Sequence, residues 1–330
     1  MKTIMKSAIF DNKVVVINDP ILQEKAVFKE KRIPLNENGI EGCITDISLN
    51  GVHLVSRDIR IANGNYAVQI EHDFSFIKLH FEMEGDNRYV PKNKKQRGIY
   101  IPNRHYNLFY LPQIKGELQY QTSRRKTLEI TFTESYLKEL FFPNFESTIP
   151  CLAKAIQLQK EFVMWENSKP ISPKLHTIIN DILHCQYTGK IKKAHLESKI
   201  VEILVHLFSI ILNEETTEKT TEINDIDLQK IIVIEAILAS QFKAKHSLKS
   251  LAATVGLNDF KVKKYFKLVY GTTVFSYLNQ LKMDYAKQFL LENNCPISTV
   301  SEELGYKNPH HFTVAFKKKF GYLPSKLKGK

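Results

Sequence analysis

Between residue 13 and about residue 133 the chain alternates apolar and polar positions in short runs, most plainly in Ile77-Lys78-Leu79-His80-Phe81-Glu82-Met83. Successive side chains of a strand point to opposite faces. A period of two therefore predicts strands over Val14–Ile17, Cys43–Leu49, Val52–Ile61, Tyr66–Ile70, Phe76–Met83, Ile99–Ile101, Leu118–Tyr120 and Leu128–Phe132. Asn50-Gly51, Asn63-Gly64 and Glu84-Gly85 lie between or beside these runs as turn signals. Many short strands separated by turns predict a sandwich or a small barrel.

After Phe132 the period lengthens. Helices are predicted over Ser135–Phe142, Leu152–Phe162, Ser172–Cys185 and Ala194–Leu212, the last with Leu196, Ile200, Ile203, Leu204 and Leu207 in one stripe. Such a stripe is either core within the domain or a contact with a second copy of the chain. Residues 213–222 contain no apolar side chain and can bury nothing, which predicts a linker over 213–224. The expected domains are 1–212, β-rich over 13–133 and helical over 134–212, and 225–330.

Charge sharpens that division. The chain carries +12 overall, but residues 225–330 hold 17 lysines, no arginine and 8 acidic residues, a net of +9. A basic segment beside a nearly neutral one is the distribution expected of a phosphate-binding surface attached to a second, differently occupied domain. Cys43, Cys151, Cys185 and Cys295 are far apart, without the paired spacing of a zinc knuckle or a disulfide framework. Lys2 and Lys6 open the chain, yet Asp11 and Lys13 interrupt before an apolar run of signal-peptide length develops. Ile200–Leu212 is too short to cross a bilayer, which takes about 20 apolar residues. A soluble, cytoplasmic protein with no membrane partner is expected.

Beyond the linker two segments repeat at an offset of 49 to 50 residues. In the first, Leu248, Leu251, Ala252 and Val255 form a helical stripe ending at Gly256, followed by Val262, Phe266-Lys267 and Gly271. In the second, Ile297, Val300, Ser301 and Leu304 end at Gly305, followed by Phe312, Phe316-Lys317 and Gly321. Each reads as a short helix, a tight turn through a glycine and a second helix, the helix-turn-helix arrangement. Asn258 is placed to cap one second helix, and Asn308 with Pro309 to open the other.

With Val262, Tyr265 and Phe266 turned inward, Asp259, Phe260, Lys261, Lys263 and Lys264 fall on the outer face of the first second-helix. The same phase exposes Lys307, His310, Thr313, Val314, Lys317 and Lys318 in the second unit. A lysine-rich face alone is ordinarily just solvated. Its recurrence on both second helices is what points to double-stranded DNA. His310 and His311 are adjacent and lack a third ligand at useful spacing, which disfavours a metal. Between the units, Thr273–Leu291 predicts one continuous helix with Phe275, Leu278, Leu281, Tyr285, Ala286, Phe289 and Leu290 as its apolar stripe.

Gly305-Tyr306, Phe312, Phe316-Lys317, Gly321 and Pro324-Ser325 closely resemble the signature of the arabinose-regulator (AraC) family of transcription factors. Leu251-Ala252, Gly256, Val262, Phe266-Lys267, Gly271 and Tyr277-Leu278 fit that family's first unit, and Leu281-Lys282-Met283, Ala286 and Leu290 its linker helix. The resemblance covers about residues 227 to 328. It departs at Lys282, where the family usually has Arg, and at Ser301, where it usually has Ala. Carried over residue by residue, the family's base-facing positions are Phe260, Lys261, Lys264, Pro309, His310, Thr313 and Val314. The absence of arginine removes the side chain best suited to bidentate guanine contacts.

Residues 181–189, Leu196-Glu197-Ser198-Lys199 and Glu202-Ile203-Leu204 resemble the subgroup of this family that responds to ferric siderophores of the pyochelin type. The fold class so implied is α+β: a β-rich, cupin-like sandwich or barrel as sensor with trailing helices, plus an all-α domain of two helix-turn-helix units on a linker helix. The resemblance implies a dimeric, ligand-responsive activator with RNA polymerase and a small-molecule effector as further partners. No cofactor is implied. An enzyme built on the β-rich part is disfavoured: His53, His72, His80 and His105 form no H-x-H pair of the cupin metal kind. No nucleophile elbow, phosphate loop or dinucleotide fingerprint is present.

Overall fold

The structure is a computed structural model that describes residues 2–7, 13–18, 28–37, 39–62, 64–216, 223–293 and 295–327. It forms two compact units: Met1–Ile171 with Gln186–Thr216, and Ser172–Cys185 with Thr217–Lys330.

The first unit is built on two antiparallel sheets. Strands β1 (Lys2–Lys6), β2 (Val14–Asn18), β6 (Tyr66–His72), β8 (Asn87–Pro91), β9 (Ile99–Ile101) and β11 (Ile114–Tyr120) form one, in the order β2-β1-β6-β11-β8-β9. The other runs β13-β10-β7-β12-β5-β4-β3. Its strands are β3 (Lys29–Glu37), β4 (Ile40–Leu49), β5 (Val52–Ile61), β7 (Phe76–Glu84), β10 (His105–Leu111), β12 (Arg124–Phe132) and β13 (Phe162–Val163), with β14 (Lys169–Pro170) also pairing β10. One apolar cluster joins Phe76, Phe109 and Leu111 of the second sheet to Tyr89, Ile99, Ile101 and Ile114 of the first, so the sheets face each other as a sandwich.

The alternation in β7 has an unexpected outcome. Ile77, Leu79 and Phe81 are buried, but so are His80 and Glu82 on the opposite phase, at 2% and 0% exposure. A half-buried strand would have turned that phase to water. Here it turns toward the other sheet, as the contact of Arg125 with Tyr120 shows. Among the described strands, β1, β3, β8 and β10 escape the period-of-two reading altogether, as do the two-residue β13 and β14. β10 is buried at every position, so it has no alternation to detect. β3 is mostly exposed along its length, carries Pro34 and, among the described residues, pairs only with β4, as an edge strand can. β1 and β8 are short, and β1 lies before the expected start of the β-rich region at residue 13.

Helices α1 (Glu134–Leu140), α2 (Phe145–Thr148), α3 (Pro150–Gln157) and α5 (Gly189–Thr216) complete the first unit. The helix expected over Leu152–Phe162 stops at Gln157, and Phe162–Val163 pairs instead with Tyr110 and Phe109 as a strand. In α5, Leu196, Ile200, Ile203, Leu204 and Leu207 are fully buried, so this stripe is core and not a free surface for a second chain. The helix runs on to Thr216, into the segment expected to be linker. Residues 217–222 of that linker lie outside the described residues.

One boundary is corrected. Helix α4 (Pro173–Leu183), expected within 1–212, groups with the second unit, because its partners lie on the long helix there. Asp181 accepts from Lys287 at 3.1 Å, and His176 Nδ1 lies 3.5 Å from Asp284. The second unit is otherwise all helix: α6 (Asp225–Ser240), α7 (Leu248–Val255), α8 (Asp259–Tyr270), α9 (Val274–Glu292), α10 (Ile297–Glu303), α11 (Pro309–Phe320) and a 3-10 turn at Pro324–Leu327.

It has two cores and one shared beam. Ile231, Ile234, Leu251, Val262 and Phe266 form the first core, to which α9 contributes Val274, Tyr277 and Leu278. Val300, Leu304, Phe312 and Phe316 form the second, to which α9 contributes Met283, Ala286 and Leu290. Serving cores on two faces blurs any single apolar stripe, and the expected one is partly wrong: Phe275 is 47% exposed, while Tyr277 and Met283 are buried.

Candidate nucleic-acid interface

Both helix-turn-helix units form from the same local signals. In the first, the Ser247 side chain caps α7, and Gly256 ends it at φ +64°, where a side chain would be strained. Lys230 of α6 donates to the Gly256 carbonyl at 3.3 Å, meeting an acceptor that the helix end leaves over. Asn258 Oδ1 then accepts from the Lys261 amide at 2.8 Å and starts α8. In the second, α10 gives way to Gly305 at φ +78°, and Asn308 Oδ1 accepts from the His310 amide at 2.8 Å to start α11 with Pro309 in its first turn.

Packing decides which face each second helix shows. Val262, Phe266 and Tyr270 of α8 are buried, as are Phe312 and Phe316 of α11. The outer residues of α8 emerge as expected: Phe260 is 72% exposed, and Lys263 and Lys264 are exposed. Lys261 is the exception on this helix. It is half-buried, and its ammonium donates to the buried Asp227 at 3.0 Å, a bond that raises its pKa. In the second unit Lys307, Pro309, His310, Val314, Lys317 and Lys318 are exposed and Thr313 is half-buried. The expected site residues thus line the outer surfaces of α8 and α11, except that Lys261 is committed to α6.

Several residues that hold these faces were not singled out by sequence reasoning. Asp284 of α9 is half-buried, its carboxylate largely covered, and accepts from Lys319 of α11. Burial alone would raise its pKa, but the hydrogen bond from His176 and the charge of Lys319 outweigh it and hold the carboxyl below its ordinary value. Glu235 stands 49 residues earlier, the repeat offset, and is buried, accepting from the Tyr277 hydroxyl. That offset was the available signal: an acid at the same place in both repeats. Lys282, the departure from the usual Arg, donates to the Leu304 carbonyl at 2.9 Å and so caps α10, while burial lowers its pKa. Ser301, the second departure, is fully buried and its hydroxyl has no hydrogen-bond partner among the described residues.

Chemically these surfaces offer cations, two imidazoles and apolar tips on the outward sides of two helices. Among the described residues no group of three or more His, Cys, Asp and Glu could hold a metal ion. Among them, too, no helix is long and apolar enough to cross a membrane.

The sequence matches the family described as the regulatory protein PchR N-terminal domain over residues 45–223, and a helix-turn-helix domain family over residues 251–330. Among curated proteins it is 28% identical over 113 residues to the bifunctional transcriptional activator/DNA repair enzyme AdaA of Bacillus subtilis, covering 34% of this chain and 51% of that protein. It is 27% identical over 130 residues to the regulatory protein PchR of Pseudomonas aeruginosa, covering 39% of this chain and 44% of that one. The chain thus spans about half of these relatives' length. Among solved structures, the C-terminal domain of AraT, a response regulator from Geobacillus stearothermophilus, is 24% identical and covers 32% of this chain and 84% of its own, with a TM-score of 0.28. With the PchR N-terminal match spanning more than half of the chain, the protein belongs to the AraC family of DNA-binding transcription regulators, in the group that carries the PchR N-terminal domain.

Proposed function

We propose that this protein is a ligand-responsive transcription activator that acts as a homodimer and reads DNA with α8 and α11 in successive major grooves. The observation that carries the reading is the pair of similarly capped helices, each with a lysine-bearing outer face, joined through one unbroken helix. The 19 residues of α9 span about 28 Å at 1.5 Å per residue, close to the ~34 Å of one DNA turn. That length supports simultaneous entry of both helices on one side of a duplex.

Within this reading Phe260, Lys264, Pro309, His310, Thr313 and Val314 face base edges. Lys263, Lys307, Lys317 and Lys318 meet phosphates, and Lys261 lends orientation through Asp227 rather than a free charge. The effector is a ferric siderophore of the pyochelin type bound by the first unit, and the protein recruits RNA polymerase in the cytoplasm. A ligand shifts promoter occupancy only through its different affinity for two arrangements of the protein.

Footprinting on the DNA upstream of the protein's own gene, with and without ferric pyochelin, tests the reading. Protection strengthened by the ferric complex and unchanged by its iron-free form is expected. Absence of any protected site in either condition contradicts DNA reading. Protection that ignores the ferric complex contradicts the choice of effector.

A further inference from the structure

The outer faces of α8 and α11 carry large apolar side chains among their cations. Phe260 is 72% exposed and Val314 is 51% exposed. An exposed apolar side chain means little by itself, and the helical unit has others, such as Ile226 and Leu268. What distinguishes these two is their place.

At 3.6 residues per turn, the midpoint of Phe260 and Lys264 lies about 160° around α8 from that of the buried pair Val262 and Phe266. His310 and Val314 stand in the same relation to the buried Phe312 and Phe316 on α11. Each helix therefore turns one pair of neighbouring side chains, at i and i+4, farthest from its core. Lys263, Lys264 and Lys267 are exposed on α8, as are Lys307, Lys317 and Lys318 on or beside α11. A partner that covers Phe260 and Val314 must then bring an apolar group set among negative charges.

Each pair joins an apolar side chain to one that can donate a hydrogen bond, and the order is inverted: Phe260 precedes Lys264, whereas His310 precedes Val314. At the repeat offset of 50 residues, Phe260 corresponds to His310 and Lys264 to Val314. A side chain that the packing of a unit required would recur at the equivalent place, as Phe266 and Phe316 do. Neither Phe260 nor Val314 recurs, so neither is a requirement of the fold. In the major groove the apolar group on offer is the 5-methyl of thymine, and phosphates flank it. Guanine is read best by arginine, which residues 225–330 lack.

We propose that Phe260 and Val314 are specificity-determining residues that each pack on a thymine methyl, so that the DNA this protein selects holds, in each protected segment, a thymine read through that group. Lys264 and His310 donate to an acceptor on a neighbouring base. This rests on the reading that α8 and α11 enter the major groove, and it names the base that each of them reads.

Replacing each thymine of the protected promoter DNA in turn by uracil removes the 5-methyl group and keeps the base pair. Fluorescence anisotropy with the full chain is expected to find, in each segment, a position where uracil lowers affinity about fourfold, as loss of one buried methyl group does. In Phe260→Ala the penalty in one segment vanishes while that in the other persists, and in Val314→Ala the reverse holds. Both side chains are exposed and alanine favours a helix, so both variants keep their fold. Lys317→Ala, as a control, weakens binding to thymine and uracil duplexes alike. A largest uracil penalty below about twofold, penalties that survive in both variants, or both variants silencing the same position would each overturn the proposal. Absence of any protected site defeats the DNA reading and this inference with it. Protection that is indifferent to uracil leaves the DNA reading standing and defeats the inference alone.

Discussion

The two units place charge in opposite ways. In the β-rich unit Arg125, Glu82, Glu129 and His80 are buried between sheets, whereas in the helical unit most lysines of α8 and α11 stand outside and the acids Asp227 and Glu235, buried, and Asp284, half-buried, each have a partner. Charge inside a sandwich is costly unless something completes it, while charge outside a small helical unit acts on whatever comes near. The difference teaches where each unit keeps its charge: one between its layers, the other on its outer face.

The largest effect that can break this contrast is that of salt on DNA affinity. If the outer lysines neutralise about six phosphates, affinity falls roughly a thousandfold between 50 and 200 mM salt, as fluorescence anisotropy on the footprinted DNA measures. A nearly flat dependence would mean that those surfaces do not meet phosphate.

Next comes the interior of the helical unit. Asp284→Asn leaves the half-buried Lys319 ammonium without its counter-charge and is expected to lower stability by about 2 kcal/mol in denaturant unfolding. An effect below about 1 kcal/mol would show that the pair is solvated and that the second recognition helix is held by apolar packing alone.

Acid separates the units more finely. Burial, reinforced by the charge of Lys78, lowers the His72 pKa to about 4, from an ordinary value near 6.5. The unfolded chain then binds a proton that the folded unit refuses, so this contribution is complete above about pH 6.5 and is lost as pH falls toward 4. The loss amounts to roughly 3 kcal/mol at most. Hydrogen exchange should therefore loosen β6 and its neighbour β1 before α9 and α11 in that interval. Simultaneous loosening, or none, would contradict it.

The smallest effect concerns a cap. Lys282→Met removes the donor to the Leu304 carbonyl and should lower stability by about 1 kcal/mol, while Lys282→Arg restores the donor and stays close to wild type. Equal losses in both would mean that side-chain shape, not the hydrogen bond, matters at this position.

Legibility in the sequence followed the same divide. The helical unit announced itself because its signals are local: Asn258 and Asn308 cap, Gly256 and Gly305 turn, and the inward phenylalanines recur at the repeat offset. The outer faces of α8 and α11 followed from that phase, but Thr313 and Lys261 came out half-buried, Lys261 because its partner Asp227 lies 34 residues away. The sandwich was harder to read. β10 is buried on both sides and β3 on neither, so neither alternates, and the polar phase of β7 gives no hint that it faces inward. The grouping of α4 with the helical unit was likewise hidden, because its ion pairs reach Asp284 and Lys287 about a hundred residues on. Where structure depends on partners distant in sequence, a single chain read in order does not display them.

The central claim, that α8 and α11 enter one duplex together, is tested most directly by footprinting wild type, Lys264→Ala and Lys317→Ala on the same promoter fragment. Two protected segments with centres about 10 base pairs apart are expected, Lys264→Ala weakening one and Lys317→Ala the other. A single protected segment, or both substitutions fading the same one, would contradict the account.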